Sequence, residues 1–226
     1  MHQTSPAILA GRRSREVRRN VAALLVGAAA VLALGACGSA PNPAFDLSAP
    51  RLARGSAGLA AITVVPEPSA LQPFENERIV VKDAAGTLSI LPDGQWSDRL
   101  PRLVQTKLIQ AFENSSRSRS VSRPGDGITA DNQLTSEIRA FLLDSRTGEA
   151  VVEISAKLVD IKSGRVLNAR IFTAKTPVAS AKAAEVAPAL DRSTSSVFVD
   201  IIRWVGSSPR SLPPLAGDPV LRTGPL

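Results

Sequence analysis

The chain has 226 residues, a formal net charge of +7 and a sequence pI near 10.5, with 44% hydrophobic and only 4% aromatic residues, one Cys and one His. A lone cysteine excludes a disulfide framework and a Cys/His zinc cluster. With His2 as the sole histidine, at the extreme N-terminus, a Ser–His nucleophile pair on the folded domain is excluded as well.

In chain order, the first stretch decides where everything after it resides. Arg12, Arg13, Arg15, Arg18 and Arg19 precede sixteen uncharged residues, Val21 to Ala36, and Cys37 follows at once. A basic n-region, an apolar h-region and small residues at the cut describe a secretory signal. The last four residues, Leu34-Gly35-Ala36-Cys37, resemble the lipobox of bacterial lipoproteins, in which the cysteine is acylated and becomes the mature N-terminus. An uncleaved membrane anchor and cleaved soluble export are the alternatives. Sixteen residues fall short of the roughly 20 that span hydrocarbon, and the sole cysteine stands where a lipobox requires it. Residues 1–36 are therefore read as signal peptide and Cys37 as the lipid attachment site. Arg18-Arg19 lacks the flanks of a twin-arginine signal, so ordinary Sec export is expected. Gly38 follows the cysteine where an aspartate often marks inner-membrane retention, which points to an outer-membrane anchor facing the periplasm, with inner-membrane anchoring the alternative. The signal holds five Arg and one Glu, net +4, which leaves +3 of the whole chain's +7 on the mature protein. A nucleic-acid partner would need a basic stripe on the folded domain itself, so none is expected.

Residues 37–60 are rich in Ala, Pro, Ser and Gly and read as a lipidated tether, interrupted by Phe45-Asp46-Leu47 as a short docking element. Ile62 to Val65 reads as a strand stopped by Pro66 and Pro68, because proline cannot donate to a ladder. Arg78 to Lys82 and Thr87 to Leu91 read as two more strands around an Asp83-Ala84-Ala85-Gly86 turn. Pro92-Asp93-Gly94 reads as the turn that closes the second of these.

A helix is then predicted, capped by Ser97 or Asp98, with Pro101 in its first turn. Leu100, Leu103, Val104, Leu108, Ala111 and Phe112 repeat at three- and four-residue steps and define its buried face, with Lys107 on the flank and Asn114-Ser115-Ser116 at its end. Next comes an antiparallel meander. Leu134, Ser136, Ile138, Ala140 and Leu142 alternate with polar residues in its first strand, and Ala150, Val152, Ile154, Ala156 and Leu158 do so in its second. A third strand spans Arg165 to Thr176, and the turns fall at Ser145-Arg146-Thr147-Gly148 and Lys162-Ser163-Gly164. A last helix is predicted from Pro188 to Val205 with Leu190, Val197, Ile201 and Trp204 or Val205 as its stripe. Its Ser193-Thr194-Ser195-Ser196 middle must be held by tertiary packing. Five prolines in residues 207–226 describe a disordered tail. The expected fold is α+β: one domain, 61–206, with an antiparallel sheet of three-stranded meander plus N-terminal strands, covered by two amphipathic helices.

Few residues invite chemistry. Ser155 and Lys157 share one face of a strand, which admits a Ser–Lys dyad, yet alternating polar residues on a wet sheet face are the ordinary reading. Pro124-Gly125-Asp126-Gly127 lacks the lysine and spacing of a phosphate loop and reads as a turn. Asp98, Arg99 and Arg102 read as a helix cap and a solvated face. Trp96, between a turn and a helix cap, is open to two roles: packing over the helix's first turn, or anchoring a partner. No catalytic residue, metal or cofactor is expected.

Together, Phe45-Asp46-Leu47, Arg78-Ile79-Val80-Val81, Gln95-Trp96-Ser97-Asp98-Arg99-Leu100-Pro101 and Gly148-Glu149-Ala150-Val151-Val152-Glu153-Ile154 resemble the ABC-type transport auxiliary lipoprotein family, which includes the auxiliary lipoprotein of the paraquat-inducible transport system. The likeness covers roughly residues 34 to 205, and Asn132 and Pro188 depart from its pattern. It implies a non-enzymatic, periplasm-facing lipoprotein that serves an ABC system with a mammalian-cell-entry-domain subunit moving phospholipid or other hydrophobic molecules. The membrane, through the lipid anchor, and that subunit are the implied partners, with a homo-oligomer open. Two other readings stand beside it: an outer-membrane assembly or envelope-scaffold lipoprotein, and a periplasmic hydrolase.

Overall fold

The computed structural model describes residues 42–52, 61–115 and 121–209. The signal peptide, Cys37 and the tail beyond residue 209 lie outside them. The described residues form an α+β unit of nine strands and two helices: β1 (Ala44–Phe45), β2 (Thr63–Val64), β3 (Ser69–Ala70), β4 (Arg78–Lys82), β5 (Leu88–Trp96), α1 (Leu100–Ser115), β6 (Val121–Ser122), β7 (Asn132–Asp144), β8 (Glu149–Asp160), β9 (Val166–Pro177) and α2 (Ala183–Ser207). A single 3-10 turn, Gln72–Phe74, precedes β4.

The meander is there: β7, β8 and β9 pair antiparallel along their lengths. The sheet as a whole is mixed, which corrects the expected antiparallel one. On its other edge β7 takes β2, β3 and β4, all in parallel. β1 likewise runs parallel to β5, and β2 to β6. Parallel pairing needs a long crossover, and here the β4–β5 hairpin followed by α1 supplies it, so that β7 enters beside β4 in the same direction. Hydrophobic alternation looks the same in either direction, so the sequence carries no mark of it.

Two strands depart from their predicted pattern through bulges. In β7 the register shifts between Ile138 and Ala140, and the extra residue reverses the phase of alternation. Leu134 and Ile138 face the core before the shift; Phe141 and Leu143, rather than Ala140, stand opposite Val152 and Ala150 after it. Leu142, 7% exposed, is instead level with Val80 of β4. In β5, Arg78 pairs with Gln95 and Val80 with Ile90, so residues between Ile90 and Gln95 bulge outward. Pro92-Asp93-Gly94 therefore lies inside one longer strand and does not close it. A bulge is a place where a strand tolerates proline.

α1 buries the predicted face from Leu100 to Phe112, together with Ile109. Gln105 is buried too, at 8% exposure, and its side-chain amide donates to the Val65 carbonyl at 2.9 Å. α2 starts five residues before the predicted Pro188, which sits exposed within the helix. Val186, Leu190, Val197, Phe198, Ile201, Trp204 and Val205 are buried on it. The weak helix formers of its middle are held by tertiary bonds, as the sequence required: the Ser193 hydroxyl bonds Thr176 Oγ1 at 2.8 Å and the Ala150 carbonyl at 3.3 Å. Trp204 packs edge-on against Phe172 of β9, with ring centroids 5.5 Å apart. Asn132 is 4% exposed, and its Oδ1 has no protein partner.

Candidate functional site

The first candidate is the N-terminal strap, which carries β1. Within 37–60, expected as a tether, the described residues 42–52 lie on the domain. The Asn42 amide donates to the Pro92 carbonyl at 2.9 Å, and the Gln95 and Ser97 amides donate to the Pro43 and Phe45 carbonyls at 3.0 and 2.8 Å. Leu47 is buried at 3% exposure. Asp46 meets the ammonium of Lys107 on α1 at 2.5 Å. The amide and hydroxyl of Ser48 donate to the carboxylate of Asp191 on α2 at 2.6 and 2.8 Å. Asn114, near the end of α1, donates to the Ala49 carbonyl at 3.2 Å. The strap is thereby tied to β5 and to both helices at once, and Phe45-Asp46-Leu47 docks as its sequence suggested.

The β5 bulge completes this corner. Asp93 accepts the backbone N–H of Ala183 at 3.0 Å, satisfying a donor at the start of α2 that would otherwise lack an intrahelical partner. Gly94 follows because nothing larger fits: a Cβ there would stand 2.5 Å from the Ala183 Cβ and 2.6 Å from Cε2 of Phe45. Gly94→Ala should therefore push the strap or α2 off β5 and destabilise the fold by about 1–3 kcal/mol. Urea denaturation measures it, and an unchanged midpoint would show that the corner yields without cost.

The second candidate is the sheet face that carries Glu137, Arg139, Glu153, Ser155 and Lys157. Arg139 pairs with Glu153 at 3.2 Å and Lys175 with Glu149 at 3.3 Å. A cleft of about 510 Å³ opens beside Arg139, Lys157, Arg170 and Ile171, and a smaller one of about 150 Å³ beside Ser69, Ser136 and Lys157. The Ser155 hydroxyl is directed to Glu137, at 3.4 Å, and Lys157 makes no ion pair among the described residues. Ser155 and Lys157 share the face that the alternation predicted, without the hydroxyl–amine contact a dyad needs.

The other sequence candidates have structural partners. Arg99 pairs with Glu75 at 2.7 Å and Glu67 at 3.3 Å, and the Glu75 hydrogen bond holds the guanidinium above its ordinary range. Arg102 pairs with Asp98. Pro124-Gly125-Asp126-Gly127 is an exposed turn in which Asp126 accepts the Arg123 amide at 2.7 Å. Hydrogen bonds from Ser163 hold the Asp160 carboxyl below its usual range, fastening the β8–β9 turn. Trp96 is 1% exposed and packs edge-on against Phe141 at 5.5 Å. Among the described residues, no three His, Cys, Asp or Glu gather closely enough to hold a metal, and no helix is long and apolar enough to cross a membrane. Sequence reasoning missed Gln105, Asp93 and Gly94. Only Gly94, an otherwise costly glycine within a strand, left a local sign.

Comparison with known proteins gives three findings. The family model for the ABC-type transport auxiliary lipoprotein component matches residues 45–202. An uncharacterized protein of Bradyrhizobium diazoefficiens is 32% identical over 166 residues, which are 71% of this chain and 44% of that protein, so the chain spans less than half of that relative's length. A crystal structure of a Xanthomonas campestris protein under the DUF330 family model superposes with a TM-score of 0.64 at 23% identity, covering 74% of this chain and 94% of that one. A further crystal structure, of an uncharacterized protein, gives 0.57 at 13% identity over 73% and 98%. The two structures show a shared fold.

Proposed function

This chain belongs to the family of ABC-type transport auxiliary lipoprotein components, and from that premise we propose that it serves a lipid-transporting ABC system whose periplasmic subunit carries a mammalian-cell-entry domain. Membership makes it a lipoprotein anchored in the envelope and an auxiliary part of an ABC-type transport system. The finer reading is that Cys37 carries the acyl chains, that the anchor sits in the outer membrane, and that the domain works by binding, without catalysis. The observation that carries it is the strap. It binds residues 42–52 to β5, α1 and α2 together, which keeps the folded domain within five residue steps of Cys37. A hydrolase would need an activated nucleophile, and Ser155 and Lys157 do not make one.

The anchor has a direct test. Cys37→Ser should abolish labelling by a palmitate analogue and move the protein from the membrane fraction to the periplasm or to accumulated precursor. Label retained on the mutant contradicts the assignment of Cys37. Separation of inner and outer membranes in the same experiment should find the labelled wild-type chain in the outer membrane; recovery in the inner membrane would overturn that part of the reading.

A further inference from the structure

We propose that the end of the domain bearing the β4–β5 and β7–β8 turns faces the phospholipid surface at close range, an inference that rests on Cys37 being the acylated residue. The strap sets the direction. β1 lies parallel to β5, with Ala44 opposite Gln95 and Phe45 opposite Trp96. Followed backward from Ala44, the described chain runs through Pro43 to Asn42 in the direction of Leu88 and the turn that joins β5 to β4. Asn42 is fixed on this path by its bond to the Pro92 carbonyl. The same end gathers the β7–β8 turn, where Ser145 donates to the Lys82 carbonyl, and the end of β9, where Val178 donates to Gly148.

Lengths then decide the orientation. Five residue steps separate Cys37 from Asn42, and a fully extended chain spans at most about 18 Å over them. The near turn extends past Asn42 on the exit side: Pro92 to Leu88 is four residues, part of them in the bulge, at most about 13 Å. The far end lies the other way. From Leu142, level with Ile90 through Val80, β7 runs back to Asn132 over nine ladder steps of β8, Val151 to Asp160, about 30 Å. Asn42 stands beside Pro92, two residues beyond Ile90, which leaves at least about 23 Å to the far end. The tether is shorter than that distance, so the domain cannot stand upright on its β8–β9 end while the strap holds. Charge does not set this orientation, because exposed Lys82 and Lys182 at the near end stand among Asp83 and Glu185.

The sole cysteine is consumed by acylation, so one introduced cysteine accepts a fluorophore without competition. Full-length lipidated chains carrying Ala85→Cys in the β4–β5 turn, Thr147→Cys in the β7–β8 turn or Lys162→Cys in the β8–β9 turn would be reconstituted into phosphatidylethanolamine–phosphatidylglycerol vesicles with headgroup-linked acceptor dye. The proposal expects energy transfer several-fold stronger from positions 85 and 147 than from position 162. Equal transfer from all three, as for a domain lying on its side or tumbling, overturns it, as does stronger transfer from position 162. Flotation of the Cys37→Ser chain from residue 37 onward, without the apolar signal segment, with the same vesicles tests the premise separately. If it floats like wild type, the anchor is elsewhere and both readings fall; if it stays behind, the transfer pattern judges the orientation alone.

Discussion

Trp96→Ala should destabilise the mature domain by about 3–5 kcal/mol, the range for truncating a large buried aromatic. The indole is 1% exposed and meets Phe141 edge-on, with rings at 84°, a geometry that adds to simple area burial. Its backbone is pinned as well: the Trp96 amide donates to the Glu77 carbonyl at 2.7 Å, and the residue pairs with Phe45 of the strap. Loss of this side chain removes the packing where β5, β7 and the strap converge. A partner anchor would behave in the opposite way, with melting nearly unchanged and binding weakened by at least about 2 kcal/mol. Equilibrium denaturation of the mutant separates the two, and normal melting would contradict the packing described here.

The second large effect is expected on α1. Phe112→Ala should lose about 3–5 kcal/mol and Leu108→Ala about 2–5 kcal/mol, since both side chains are 1% exposed. Arg102→Ala, on the solvated side with only an exposed i,i+4 pair to Asp98, should change stability by less than about 0.5 kcal/mol. Gln105 belongs with the buried set despite its polarity. Its removal leaves the Val65 carbonyl without that donor, a loss of about 1–3 kcal/mol. A denaturation series over these four residues tests the register of the helix. Equal losses at Arg102 and Phe112 would mean that the helix is buried all round.

These residues also show what a sequence can and cannot convey. α1 was legible because its stripe repeats within four residues and its neighbours Asp98 and Pro101 are local signals. The start of α2 was not, because the group that receives its first amide is Asp93, ninety residues earlier in the chain. Gln105 looks like any surface polar residue until β2 brings the Val65 carbonyl to it. The β7 alternation was legible up to Ile138, where the bulge swaps faces; Phe141-Leu142-Leu143, an unbroken apolar run, was the only sign of it. The parallel strands on the other side of β7 left no sign, since register and direction are set by contacts distant in sequence. Cys37 rests on a contiguous motif alone and lies outside the described residues, so the fold does not bear on it. Trp96 admitted two readings; its burial favours packing, and the denaturation of Trp96→Ala separates them.

The central claim is that this lipoprotein binds a mammalian-cell-entry-type transport complex. Its most direct test is purification of the tagged, full-length, lipidated protein from native membranes after mild crosslinking, with identification of what comes with it. The account predicts a subunit with a mammalian-cell-entry domain, retained by the wild-type chain and depleted when Cys37→Ser frees the domain from its membrane. Recovery of outer-membrane assembly components in its place, with no subunit of an ABC system, would contradict it.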